Sequence, residues 1–325
     1  VGDFAVKKLV RIGTRRSKLS RWQANHIAEL IRRRYADVDI EIRAYRTRSD
    51  LHPAAPLRAI SGAGLFTDAL ETALQAGEID CAVHSLKDMP VDMAEGLALA
   101  AVPRRGDHRD VLISRDGATL AELPDGARIG AGSLRRRAQL LALRPDLRMR
   151  HIRGNVPTRL DKLEAEDGQF DAIVLAAAGL NRLGLADHIS EIFDDKQMLS
   201  AAGQGALAIQ CRAEGGDLVF FRPLADWRSS LATAAERAFL HALEAGCSLP
   251  VAAYAHIDSG KLRLQGRVIA LNGSRQVDVA GETNAFDGPA GDDAAQKLGA
   301  QLAEEALEKG ADMILASLET GEHEA

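Results

Sequence analysis

Cysteine is scarce in this chain of 325 residues: Cys81, Cys211 and Cys247 are three, widely spaced and odd in number. Such a set does not make a disulfide framework. Aromatic residues amount to 4%, which leaves little with which to stack nucleic-acid bases. No apolar run is long enough to span a bilayer, and the opening Val1-Gly-Asp-Phe-Ala-Val-Lys-Lys has charges but no apolar stretch before a cleavage site. These absences predict a cytoplasmic protein with neither a membrane nor a nucleic-acid partner. His84 and His108 have no Cys or His at metal-ligand spacing, and there is no P-loop or serine-hydrolase elbow, so no metal site is expected.

What is present is the composition of a soluble globular protein, 46% hydrophobic and 27% charged. The length predicts two or three domains. Net charge is only -5, but it is unevenly spread. Arg128 to Lys162 holds ten Lys/Arg against Asp146 and Asp161, whereas Gly281 to the C-terminus holds eleven Asp/Glu and two lysines. A basic middle inside an acidic protein points to a local anion site rather than a broad polyanion-binding surface.

Strand and helix patterns alternate through the first two thirds. Leu9–Ile12 and Val38–Tyr45 read as strands around a helix from about Ser17 to Tyr35. A helix from about Leu65 to Gln75 precedes a strand at Asp80–His84. Further strands are expected near Asp110, Ala127, Arg148 and Ala172, with helices from about Leu134, Val156 and Ala178. Ala206–Cys211 is another apolar strand, able to return to the first sheet. From Val251 the pattern becomes three alternating strands and a helix from about Asp292 to Lys309, a small α+β unit.

Three basic clusters fall where a predicted strand gives way to a helix: Thr14-Arg15-Arg16-Ser17, Ser133-Leu-Arg135-Arg136-Arg137, and Arg153-Gly154-Asn155-Val-Pro-Thr-Arg159. Open α/β sheets bind ligands at the carboxyl ends of their strands, and helix N-termini attract anions. One arginine pair is an ordinary solvated helix face; three at equivalent positions suit a ligand with several carboxylates or phosphates. The turn Ser85-Leu-Lys87-Asp88-Met-Pro90 follows the strand at Cys81. Its Lys-Asp pair fits either a ligand crevice or a surface turn closed by proline. Cys247 follows a helix over Thr233–Glu244, with Gly246 in the place of a left-handed cap. It fits either a loop-borne reactive group or a small buried hydrophobe.

Taken together, these segments resemble the porphobilinogen deaminase family from about Arg11 to the C-terminus. The likeness rests on Arg11-Ile-Gly-Thr-Arg-Arg-Ser17, Gly64-Leu-Phe, Ala82-Val-His-Ser-Leu-Lys-Asp-Met-Pro90 and Ser133-Leu-Arg-Arg. Arg153-Gly-Asn-Val, Ala178-Gly-Leu-Asn-Arg182-Leu-Gly, Gly203-Gln-Gly-Ala, Ala235-Glu-Arg-Ala and Glu244-Ala-Gly-Cys247 complete it. The resemblance implies two doubly wound α/β domains like type II periplasmic binding proteins, with a C-terminal α+β domain built on a three-stranded antiparallel sheet. The implied domains are 1–104 with 204–223, 105–203, and 224–325. Crossings near Pro103–Arg109 and Ser200–Ala206 would be hinges, and the loop from about Arg48 to Gly62 a lid.

The implied activity is that of hydroxymethylbilane synthase. Four porphobilinogen molecules lose ammonia and join head to tail on a dipyrromethane primer, held by a thioether to Cys247, and water releases the linear product. Asp88 matches the catalytic carboxylate. Arg15, Ser17, Lys87, Ser133, Arg135, Arg136, Arg153, Gly154, Arg159 and Arg182 match positions that hold cofactor and substrate carboxylates, with Ser85, Asn155 and Gln204 behind them. A monomer is expected. The chain departs from the pattern at Ala63, where many relatives carry lysine, at Ala131-Gly132, where hydroxyl residues are frequent, and at Lys18, where proline is frequent. Two other readings compete: a binding protein of the same fold holding a small anion, and a nucleic-acid binder using residues 128–162.

Overall fold

A computed structural model describes residues 7–47, 67–166, 168–245 and 249–319. The predicted lid, Ala63 and the Gly246–Cys247 segment lie outside the described residues. The chain divides into two compact units, residues 1–105 with 206–230, and residues 106–205 with 231–325.

In the first unit, β1 (Leu9–Arg15), β2 (Asp39–Tyr45), β3 (Cys81–Ser85), β4 (Leu97–Ala101) and β10 (Leu207–Arg212) form one sheet in the order β2-β1-β3-β10-β4. β1 lies parallel to β2 and β3, with Ile12 beside Ile42 and Cys81. β10 returns antiparallel between β3 and β4. Helix α1 (Lys18–Arg34) lays Ala24, Ile27 and Ile31 on the sheet residues Val10, Ile12, Val83 and Ile209. Each buried Ile or Val among them contributes roughly 1.5–3 kcal/mol. Helix α2 (Asp68–Gln75) packs Leu70 and Leu74 against Ile79, while the helix start read at Leu65 lies outside the described residues. Cys81 and Cys211 are free, buried members of this core.

In the second unit, β5 (Asp110–Ser114), β6 (Arg128–Gly130), β7 (Arg148–Arg150), β8 (Ala172–Ala176) and β9 (Glu191–Ile192) make a sheet in the order β7-β6-β8-β5-β9. β6 is parallel to β7 and β8, and β5 is antiparallel to β8 and β9. Its helices are α3 (Leu134–Leu143), α4 (Val156–Glu164) and α5 (Ala177–Leu183). The same unit holds the antiparallel sheet of β11 (Val251–Asp258), β12 (Lys261–Ile269) and β13 (Gln276–Asn284). The mixed sheets and the C-terminal three-stranded sheet agree with the fold class read from the sequence.

The chain between the last strand of the first unit and the C-terminal sheet forms α6 (Asp217–Phe221) and α7 (Trp227–Ala242), and α8 (Pro289–Glu308) and α9 (Ala311–Glu319) close the chain. α7 starts six residues before the helix read at Thr233, because Asp226 accepts from the amide of Ser229 and supplies an acidic N-terminal cap. Its end also differs. The helix stops at Ala242, Glu244 takes a left-handed φ of 51°, and Ala245 N–H closes back on Leu240 O. α6 and α9 lack a long apolar period and were not expected. No described helix is long and apolar enough to cross a membrane.

Candidate active site

The carboxyl ends of β1 and β3 are neighbours on one edge of the first sheet. Arg15 closes β1, and Ser17 follows as the N-cap of α1, its Oγ accepting from Ser20 N at 3.0 Å. β3 ends at Ser85, whose Oγ accepts from Gln23 Nε2 of α1 at 2.8 Å. A single 3₁₀ turn then carries Leu86, Lys87 and Asp88. Leu86 and Met89 sink into a small core with Val102, Ala206 and Ala208, while Leu86 N donates to Ala206 O at 3.0 Å. This alternation leaves Lys87 and Asp88 half-buried at the strand end. Behind them, His84 is buried and its Nε2 donates to Gln210 Oε1 at 3.0 Å. Burial pushes the His84 imidazole down to about 4.

In the second unit, the ends of the parallel strands β6, β7 and β8 bring the remaining arginines to one edge. Ser133 stands at the N-cap position of α3 without a side-chain capping bond. Arg135 and Arg136 are almost wholly buried and share one carboxylate, Asp110, which is fully buried at the start of β5. Arg135 Nη1 donates to Asp110 Oδ2 at 2.7 Å and to Leu199 O at 2.7 Å. Arg136 Nε donates to Asp110 Oδ1 at 2.9 Å and its Nη1 to Val174 O at 3.1 Å. Gln204 Nε2 completes the group, donating to Asp110 Oδ1 at 3.0 Å and His108 O at 2.6 Å. One carboxylate between two guanidinium groups leaves a net positive charge in a desolvated place.

Arg153 follows β7, and Gly154 (φ 117°) turns the chain where a Cβ would come within 2.9 Å of Thr158 Cβ. Asn155 caps α4, its Oδ1 accepting from Thr158 N at 3.0 Å. Arg159 Nε donates to Gly154 O at 2.8 Å, and Lys162 Nζ to Arg153 O at 2.9 Å, so the helix holds the loop that precedes it. Arg182, in the last turn of α5, donates from Nη2 to Gly205 O at 2.6 Å, and burial pulls it down to about 10. That leaves it charged at neutral pH.

The family description "Porphobilinogen deaminase, dipyromethane cofactor binding domain" matches residues 10–219, and "Porphobilinogen deaminase, C-terminal domain" matches residues 230–308. The porphobilinogen deaminase of Citrifermentans bemidjiense is 45% identical over 318 residues, 97% of this chain and 96% of that protein. The chain belongs to the porphobilinogen deaminase family. The porphobilinogen deaminase of Thermobifida fusca is 44% identical over 318 residues, 97% of this chain and 98% of its own length. Among solved structures, the periplasmic aliphatic sulphonate binding protein SsuA from Escherichia coli is similar at a TM-score of 0.37 and 14% identity, over 74% of this chain and 71% of that one.

The described residues of the chain fit an anionic cofactor. Arg135 Nε and Arg153 Nη2 are buried donors without a hydrogen-bond partner, and a polycarboxylate supplies the acceptors that such donors lack. Sequence reasoning missed Asp110 and Glu236. Glu236, on α7, is fully buried and accepts from Gly203 N at 2.6 Å and Ala255 N at 2.8 Å, pinning the Gly203-Gln-Gly205 turn. A lone Asp opening an apolar strand gave no signal; Glu236 stood inside a recognised motif, but its partners are distant in sequence. Among the described residues no group of His, Cys, Asp or Glu could hold a metal ion.

Proposed function

We propose that this protein is a hydroxymethylbilane synthase, which deaminates four porphobilinogen molecules, condenses them head to tail on a dipyrromethane primer attached to Cys247, and releases the linear product by hydrolysis. The observation that carries this reading is the pair of buried, unpartnered guanidinium donors of Arg135 and Arg153 within a set of arginines at three strand ends. Arg15, Ser17, Lys87, Ser133, Arg135, Arg136, Arg153, Arg159 and Arg182 hold pyrrole acetate and propionate groups. Gly154 lets the chain turn toward them, Asn155 fixes α4, Ser85 steadies the Lys87–Asp88 turn, and Gln204 holds Asp110.

Asp88 is the catalytic carboxylate. Loss of ammonia from porphobilinogen leaves a cationic pyrrole, and a half-buried anion beside its N–H stabilises that charge more than water does. The same carboxylate accepts a proton as the new carbon–carbon bond forms and the ring regains aromaticity. The bound primer supplies the terminal pyrrole carbon to which the first unit is joined. Residues 1–104 with 204–223, 105–203 and 224–325 are three functional domains, each with one of the three sheets. The protein is a cytoplasmic monomer without a nucleic-acid partner.

The test is the intact mass of the denatured protein, with peptide mapping across Cys247. An excess of two deaminated porphobilinogen units on that peptide is expected, in protein as isolated or after incubation with porphobilinogen. A bare Cys247 peptide after that incubation overturns the reading in favour of a binding-only relative.

A further inference from the structure

One titratable group in the basic edge of the second unit plays no part in the function proposed above. His151 follows β7, exposed to solvent, two residues before Arg153. Arg153 Nε lies 3.3 Å from His151 Nε2. A guanidinium can only donate, so this imidazole nitrogen accepts, and the ring's single proton is assigned to Nδ1. The other donor on the same edge of that guanidinium, Nη2, is buried with no hydrogen-bond partner. The Nε–Nη edge is a fork suited to a carboxylate. Here a weak imidazole contact holds one prong and nothing holds the other.

Among the described residues, the charges acting on the ring are positive: Arg153 from its own segment, and Arg159 and Lys162 from α4. Partial burial, followed by these three charges, holds His151 below the ordinary histidine range. An arriving anion reverses both conditions. Its oxygen competes for the Nε–H of Arg153, releasing the imidazole lone pair, and its charge offsets the three cations.

We propose that His151 is a further carboxylate-binding residue, which takes one proton from solvent as a pyrrole carboxylate docks on Arg153. In the occupied state Arg153 Nε–H, Arg153 Nη2–H and His151 Nε2–H all donate to the carboxylate. One proton is bound for each anion at this position and no covalent bond changes. The inference rests on the reading of Arg153 as a carboxylate site. Its consequence is that affinity for the pyrrole chain falls as pH rises between the His151 midpoint of the free protein and the higher midpoint of the loaded one. The fall is at most tenfold per pH unit.

The test uses the full chain labelled with ¹³C-histidine, titrated by NMR before and after incubation with porphobilinogen, with His151→Gln to assign the resonance. The expected midpoint lies below roughly 6.5 before loading and above it afterwards. An unchanged or lowered midpoint in loaded protein overturns the proposal. Arg153→Gln, followed by mass for pyrrole uptake, separates the two levels. If that variant retains the pyrrole as tightly as the parent, Arg153 is not a carboxylate site and both readings fall. If retention drops while the His151 midpoint of the parent stays fixed, only the role of His151 fails. Parent protein that carries no pyrrole either as isolated or after that incubation overturns both.

Discussion

Asp88 stands on a turn whose apolar neighbours, Leu86 and Met89, hold it in place, so its charge can be removed without moving the backbone. Asp88→Asn is expected to keep its unfolding midpoint and lose at least a hundredfold in kcat; near-normal turnover in a porphobilinogen assay would remove Asp88 from its role. Asp110 is the opposite case. It is fully buried between two buried guanidinium groups, and Asp110→Asn leaves those charges uncompensated. A loss of about 3 kcal/mol or more is expected in urea unfolding. His84 is held neutral in the fold at about 4, below its unfolded value. Its contribution is therefore complete above roughly pH 6.5 and is lost as pH falls toward 4, on the order of 3 kcal/mol in all. Stability measured against pH should show this acid limb, and His84→Gln should flatten it. The sequence made Asp88 legible through its motif, but Asp110 was hidden because its meaning lies in partners 25 and 26 residues away.

At the scale of elements, the position of α3 depends on the C-terminal sheet. The turn between β12 and β13 presses Gly273 (φ 74°) onto this helix so closely that a Cβ would meet Leu141 C at 2.7 Å. Arg267 of β12 donates from Nη1 to Gln139 Oε1 at 2.9 Å, and Gln139 also accepts from Leu199 N at 2.9 Å. Gly273→Val is expected to cost about 1–3 kcal/mol, since it adds both a clash and a strained dihedral. It should also weaken pyrrole retention by displacing the helix that bears Arg135 and Arg136; retention equal to the parent's would show that this packing does not support the site. Strands and amphipathic helices were legible because period 2 and period 3.6 are local properties. The short helices α6 and α9 were not, because tertiary packing rather than their own apolar period holds them in place.

For the whole molecule, a net charge of -5 with ten Lys/Arg against two acidic residues between Arg128 and Lys162 suits a small polyanionic ligand better than a nucleic acid. Sedimentation should give a species of about the 34.8 kDa chain mass, and no retention on immobilised DNA at physiological salt is expected. A dimer in that experiment would overturn the monomer, and retention would reopen the nucleic-acid reading. By itself the sequence determined the family, the fold class, the order of the longer elements and which residue types gather at strand ends, since these follow from local periodicity and motif spacing. Only the tertiary structure decided which arginines are already paired and which retain unpartnered donors. It also revealed Asp110 and Glu236 as buried anchors and put His151 beside Arg153. Charge pairing and burial depend on contacts between segments remote in the chain, and no local pattern encodes them.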